Sequence, residues 1–163
     1  MSRLDSMIRR LEAQRATLNA AADRVRDREG VALEFGLGNG RTYDHLREIL
    51  AGRDIYVFDR QVAAHPDCIP PDDRLFLGDL FDTLPRAIAQ LGGRAVLVHL
   101  DIGTGDKAES VALSQRAAPL VAELLAPGGV AVSDQPIDGL AAFSPLPLPD
   151  GVKPGRIYLY ERV

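Results

Sequence analysis

Tryptophan is missing from this 163-residue chain, and cysteine occurs once, at Cys68. A single thiol closes no internal disulfide, so the fold must rest on its core, as expected in a reducing compartment. No apolar run approaches the roughly 18 residues that a membrane-spanning helix needs. The first residues carry charges every few positions and no apolar signal core, which makes the cytoplasm the expected location. Basic runs are missing too, and the formal net charge is −4, so no nucleic-acid partner is expected. Internal repeats and low-complexity tails are absent.

What is present is ordinary globular material, 46% hydrophobic and 26% charged. The length fits one domain with a full core. Residues 2–29 read as one amphipathic helix, with Leu4, Met7, Ile8, Leu11, Leu18, Ala21, Ala22 and Val25 on one stripe at three- and four-residue steps. The stripe misses a place at Gln14 and Arg15, and Gly30 stops the helix. Such a helix packs on its own domain, or serves as an oligomer contact or a lid over a ligand. The oligomer contact makes a homo-oligomer the expected assembly.

From residue 31 to 163, strands and helices alternate. Strands are predicted at Val31–Phe35, Asp54–Phe58, Arg74–Leu77, Ala95–Leu100, Gly129–Ser133 and Arg156–Tyr160. Helices are predicted at Gly40–Leu50, over 80–91 and at Lys107–Ala126, the last split or kinked at Pro119. The pattern implies an α/β fold, a mostly parallel twisted sheet with helices on both faces. Its ligand belongs at the carboxyl ends of the strands, near the topological switch point. Two segments break the rhythm. Residues 60–73 carry three prolines and no helical period, so this crossover reads as loop. Residues 135–155 are rich in proline and glycine, with room for a short strand near Leu140–Phe143. The C-terminal end offers one clear strand after the fifth and no obvious hairpin.

The most informative stretch is Glu34-Phe35-Gly36-Leu37-Gly38-Asn39-Gly40, between the first strand and the first helix. A dinucleotide fingerprint, G-x-G-x-x-G, would have its third glycine at residue 41. That residue is Arg41, and the glycine sits one place early. A carboxylate at Glu34 repels a pyrophosphate but suits a ligand bearing an ammonium group. Acidic-x-Gly-x-Gly-x-Gly resembles motif I of the class I S-adenosylmethionine (SAM)-dependent methyltransferases. Leu124-Leu125-Ala126-Pro127-Gly128-Gly129 is similar to that family's turn before the fifth strand. The resemblance covers residues 31–134, and the overall size is similar to that of a small family of uncharacterised bacterial SAM methyltransferases.

The resemblance implies a Rossmann-like fold, SAM as cofactor, and a site made by several segments. Glu34, Phe35, Gly36, Gly38 and Gly40 form its loop. Arg41 and Thr42, at a helix N-terminus, are placed to hold the SAM carboxylate. Asp59, about 20 residues on, is placed to accept the ribose hydroxyls, and Arg60 either lays its stem or plane on the adenine or is a surface arginine. Gly78-Asp79-Leu80 stands where the family reads the adenine edge, although Asp79 also fits a helix N-cap. Asp101 falls at motif IV, where a carboxylate binds the SAM ammonium or takes the acceptor's proton. His99 reads as a hydrogen-bonded core histidine rather than a base.

Methyl transfer is an in-line displacement on an activated sulfonium, so positioning dominates. No Asn-Pro-Pro-Tyr or Asp-Pro-Pro-Tyr follows the fourth strand, which disfavours amino-methylating enzymes of DNA and protein. The acceptor expected is a small molecule, unidentified. Two alternatives stay open. A catechol-type O-methyltransferase would bind a divalent metal at Asp101 and Asp134, but Gln135 and Thr104 replace the asparagine and lysine of that pattern, and no metal is expected. A non-catalytic SAM-binding protein would keep the loop and lack an acceptor pocket. Pocket walls are expected from the N-terminal helix, the 60–73 and 135–155 segments or a second subunit.

Overall fold

The computed structural model describes residues 1–163. Its strands are β1 (Val31–Phe35), β2 (Ile55–Asp59), β3 (Leu75–Leu77), β4 (Ala95–Leu100), β5 (Leu125–Ser133), β6 (Phe143–Pro145) and β7 (Tyr158–Arg162). They form one sheet in the order β3-β2-β1-β4-β5-β7-β6. β1 to β5 pair in parallel, and β7 lies antiparallel between β5 and β6. The helices are α1 (Arg3–Arg24), α2 (Arg41–Ile49), α3 (Leu80–Leu91) and α4 (Lys107–Leu124).

The central strands are apolar on both faces because both are covered. Leu33, Phe35, Phe58, Val98 and Leu100 pack under α3 and α4, with Leu84, Leu91, Ala118 and Val121. Ala32, Val57 and Val130 pack under α1 and α2, with Leu18, Ala21, Val25 and Leu46. The period-2 alternation then fixes two polar residues. Glu34, beside Phe35, points to the α1/α2 face, and so does His99, beside Leu100. The two are register partners across β1 and β4.

The C-terminal end differs from the sequence expectation. Two strands follow β5, and they make an antiparallel pair joined by residues 146–157. β6 is only three residues long and carries Pro145, so it has little local signal. Its pairing with β7 is non-local. Pro119 does not split α4, which runs unbroken from Lys107 to Leu124. That proline is exposed, while Ala117, Ala118, Val121 and Ala122 are buried around it.

α1 stops at Arg24, short of the predicted end. The Arg53 guanidinium donates to the carbonyls of Val25, Arg28 and Gly30 at 2.7–3.1 Å, which satisfies groups left over at the helix end. Its N-terminus carries a capping box between Ser2 and Asp5. Only the second half of the predicted stripe is buried. Leu4, Met7 and Ile8 stay exposed where α1 overhangs the sheet. Between β2 and β3 the chain makes two short 3-10 turns, Pro66–Cys68 and Asp72–Arg74, and no α-helix, as the prolines implied.

Candidate functional site

β1 leads outward to β2 and β3, and the chain then returns to place β4 on the other side of β1. The crevice between the ends of β1 and β4 is therefore the switch point. Two loops meet there. The amide of Asp101 donates to the carbonyl of Phe35 at 3.0 Å, and that of Gly36 to the carbonyl of Phe58 at 2.8 Å. Gly36 has φ +92°, and a Cβ there would stand 2.1 Å from the Asp101 carbonyl oxygen. The glycine is thus demanded by the approach of the two loops. At Gly38 a Cβ would meet nothing within 4 Å, and its backbone lines open space.

That space is a cavity of about 490 Å³, a volume suited to a cofactor-sized ligand. Gly36, Gly38, Arg41, Thr42, Asp59, Arg60, Gly78, Asp79, Leu80 and Asp101 all line it. Residues from Gly36 to Asp101 are thus brought to one cavity. Asp59 accepts from the amides of Leu37 and Gly38 at 2.9 and 3.2 Å, so this carboxylate also shapes the glycine loop. Asp79 is the N-cap of α3, accepting from the Phe81 amide at 2.9 Å. Its other oxygen is 3.6 Å from the Arg60 guanidinium.

Three of the expected residues stand elsewhere. Phe35 is buried and stacks on Phe58, the ring centroids 4.1 Å apart. Gly40 backs onto Cys68 and Ala64. Glu34, expected to face an ammonium group, is 0% exposed and lies under α1 and α2. Strand alternation turns it away from the cavity. Its Oε1 accepts from Thr42 at 3.1 Å and stands 2.8 Å from His99 Nδ1, while Oε2 is buried without a partner. Burial raises the Glu34 pKa against the opposing pull of His99. For His99, burial alone would lower the pKa, but the Glu34 carboxylate more than offsets it and the net shift is upward. His99 is thus a buried, hydrogen-bonded core residue.

The N-terminal helix is the lid that its stripe allowed, although the sequence did not single out the residues that form it. Met7, Arg10, Leu11 and Gln14 of α1 close the cavity above Asp101. The Gln14 amide donates to Asp101 Oδ2 at 3.2 Å and lies 3.4 Å from His99 Nε2. Arg10 stands 3.6 Å from Asp101 Oδ1. The signal was the gap in the apolar stripe. Gln14 is 92% buried, and it interrupts the stripe where α1 crosses the carboxylate. The 135–155 segment contributes nothing to this wall and lines a separate surface depression.

The geometry matches the comparisons with known proteins. A family model described as S-adenosyl-L-methionine methyltransferase matches residues 1–162. The chain belongs to this methyltransferase family. An S-adenosyl-L-methionine methyl transferase from Silicibacter pomeroyi is 42% identical, with a TM-score of 0.94 over 100% of this chain and 99% of that one. More distant structures share the fold alone. Human methyltransferase-like protein 13, in complex with SAH, is 14% identical over 93% of this chain and 82% of its own, with a TM-score of 0.62. The antibiotic-resistance methyltransferase Kmr is 15% identical over 91% and 93%, with a TM-score of 0.54. Among curated proteins there is no match.

SAM is accordingly the cofactor of this methyltransferase, and the fold is the Rossmann-like class I fold expected. The catechol-type alternative finds no support in the donor set. Asp134 accepts from the Gly103 amide at 3.1 Å, Asp101 faces Arg10, and no group of three histidine, cysteine or acidic side chains gathers there. No helix is long and apolar enough to cross a membrane.

Proposed function

We propose that this methyltransferase lays SAM along the ends of β1, β2 and β4 and passes the methyl group to a small-molecule acceptor in the cytoplasm. The observation that carries the reading is the alignment of Asp59, Asp79 and Asp101 on one cavity wall with the glycine loop. Asp59 takes the ribose hydroxyls, as its strand-end position favours. Asp79 has an oxygen to spare beyond its capping bond, and with the Leu80 amide it reads the adenine edge. Arg41 and Thr42, at the α2 N-terminus, hold the carboxylate. Asp101 faces the ammonium group and borders the acceptor. Bound there, the cofactor supplies a methyl group already activated on a sulfonium.

The chain's own contribution is chiefly positioning. Gln14 orients the Asp101 carboxylate from above, and the Phe35 and Asp101 backbones hold the two loops together from below. For an acceptor that is protonated at neutral pH, Asp101 also takes the proton. The expected result is that SAM and S-adenosylhomocysteine (SAH) bind in calorimetry and NAD does not. Asp101→Asn should weaken SAH binding by about tenfold, roughly 1.4 kcal/mol. NAD binding without SAM binding would overturn the reading. Tight SAM binding with no turnover on any acceptor would instead make the chain a non-catalytic SAM-binding protein.

A further inference from the structure

Two arginines line the cavity near its amino-acid end, Arg41 on α2 and Arg10 on α1. SAM brings one carboxylate, which the reading above gives to Arg41 and the α2 N-terminus. Arg10 is left over. Its carboxylate partner is Asp101, at 3.6 Å, a distance of ion pairing rather than hydrogen bonding. Asp101 is also the group assigned to the ammonium of SAM. Once that ammonium takes Asp101, Arg10 loses its counter-ion at the rim of the cavity, beside a second cationic group. The same cavity has an apolar part to its lining: Met7 and Leu11 on the helix that carries Arg10, Ile102 after β4 and Leu113 on α4.

We infer that Arg10 selects the methyl acceptor, and that the acceptor is a small organic anion whose apolar body rests on Met7, Leu11 and Leu113. The inference rests on the SAM reading of the same site. It adds a chemical class to an acceptor proposed above only as small. The guanidinium pairs with the acceptor's carboxylate, which restores the charge balance lost when Asp101 turns to the cofactor. The Arg10 side chain is 53% exposed, so water screens the pair and the preference is moderate.

Three para-substituted phenols of similar size test this on SAH-saturated protein: 4-hydroxybenzoate, the neutral 4-hydroxybenzamide and the cationic tyramine. Calorimetry should show 4-hydroxybenzoate binding about threefold to fivefold tighter than the amide, with tyramine weakest. Arg10→Gln should bring the anion down to the amide's level, and Arg10→Lys should keep part of the preference. SAH should bind Arg10→Gln no more weakly than wild type, because a cation competing for Asp101 is gone. Equal binding of the three probes overturns the inference, as does failure of the anion to bind up to about 10 mM. So does an anion preference that survives in Arg10→Gln. Loss of SAH binding in Arg10→Gln would assign Arg10 to the cofactor's own carboxylate and overturn it too. The SAH titration of wild type is read separately, and its failure removes the SAM reading and this inference together.

Discussion

At the scale of single residues, the Glu34–His99 pair shows how strand register creates chemistry. Each residue is the last but one of its strand, and the two strands are parallel neighbours in register. Both side chains therefore emerge side by side on one face, with no water to solvate them. The pair survives there because each charge compensates the other. This gives a pH dependence with a defined sign. Both groups have raised pKa values in the folded protein. A raised pKa contributes stability that is full below the unfolded value and is lost as pH rises through the folded value. For His99 the loss begins above its ordinary value of 6.5. Glu34→Gln removes the largest of the causes that raise the His99 pKa and leaves burial opposed only by Asp101 and Asp134. The loss of stability with rising pH should then shrink. Thermal unfolding between about pH 6 and pH 9 should show the wild-type midpoint falling with pH relative to the Glu34→Gln midpoint. Parallel profiles would mean that the pair does not titrate as its geometry requires.

At the scale of elements, α1 divides into an anchor and a roof. Leu18, Ala21, Ala22 and Val25 sit in the core, while Met7, Arg10, Leu11 and Gln14 span the cavity. The sequence displayed both parts but distinguished them only by the break at Gln14. Periodicity reports which face is apolar, not what that face covers. The same limit explains the other mismatches. β1 and β4 were legible to the residue, because a strand buried on both faces is a short apolar run between polar ends. β6 was legible only as room for a short strand near Leu140–Phe143, since three residues ending in proline depend on β7 for their pairing. The ends of β2 and β3 carried Asp59 and Asp79 to the cavity as strand order required. Glu34 was misplaced because its nearness to the glycines in sequence says nothing about which face of β1 it occupies.

The division of α1 has a consequence for Gln14→Leu. Leucine fills the gap in the stripe and keeps the helix apolar where it crosses the sheet. It removes the one side-chain amide that donates to Asp101. A hydrogen bond to a carboxylate contributes about 1.5–3 kcal/mol, so SAH affinity should fall by roughly tenfold or more. The thermal midpoint should change little, since the lost bond is offset by added apolar contact. If SAH affinity is unchanged while the midpoint drops, Gln14 belongs to the scaffold and not to the site.

At the scale of the whole molecule, the ligand site is also a structural joint. Asp59 ties β2 to the glycine loop, and the Phe35–Asp101 bond ties β1 to β4. Asp101, Gln14 and Arg10 tie α1 to both. These ties meet at the cavity from separate parts of the sequence, so a ligand seated there touches segments that fold together only in the native state. A ligand that binds only the folded state stabilises it by mass action, about 2.7 kcal/mol at a hundredfold excess over its Kd. For a domain of this size 1 kcal/mol moves the midpoint by about 2–4 °C. SAH at that concentration should therefore raise the unfolding midpoint by about 5–10 °C. NAD should leave the midpoint unmoved at the same concentration, because Arg41 stands where a pyrophosphate fingerprint needs glycine. Hydrogen exchange should localise the gain. Amides of α1 around Met7 to Gln14 should slow on SAH binding, while those around Leu18 to Val25, anchored in the core without ligand, should change little. A midpoint shift without slowing in the first half of α1 would place SAH away from this cavity. The same shift produced equally by NAD would mean that the loop does not discriminate between the two ligands.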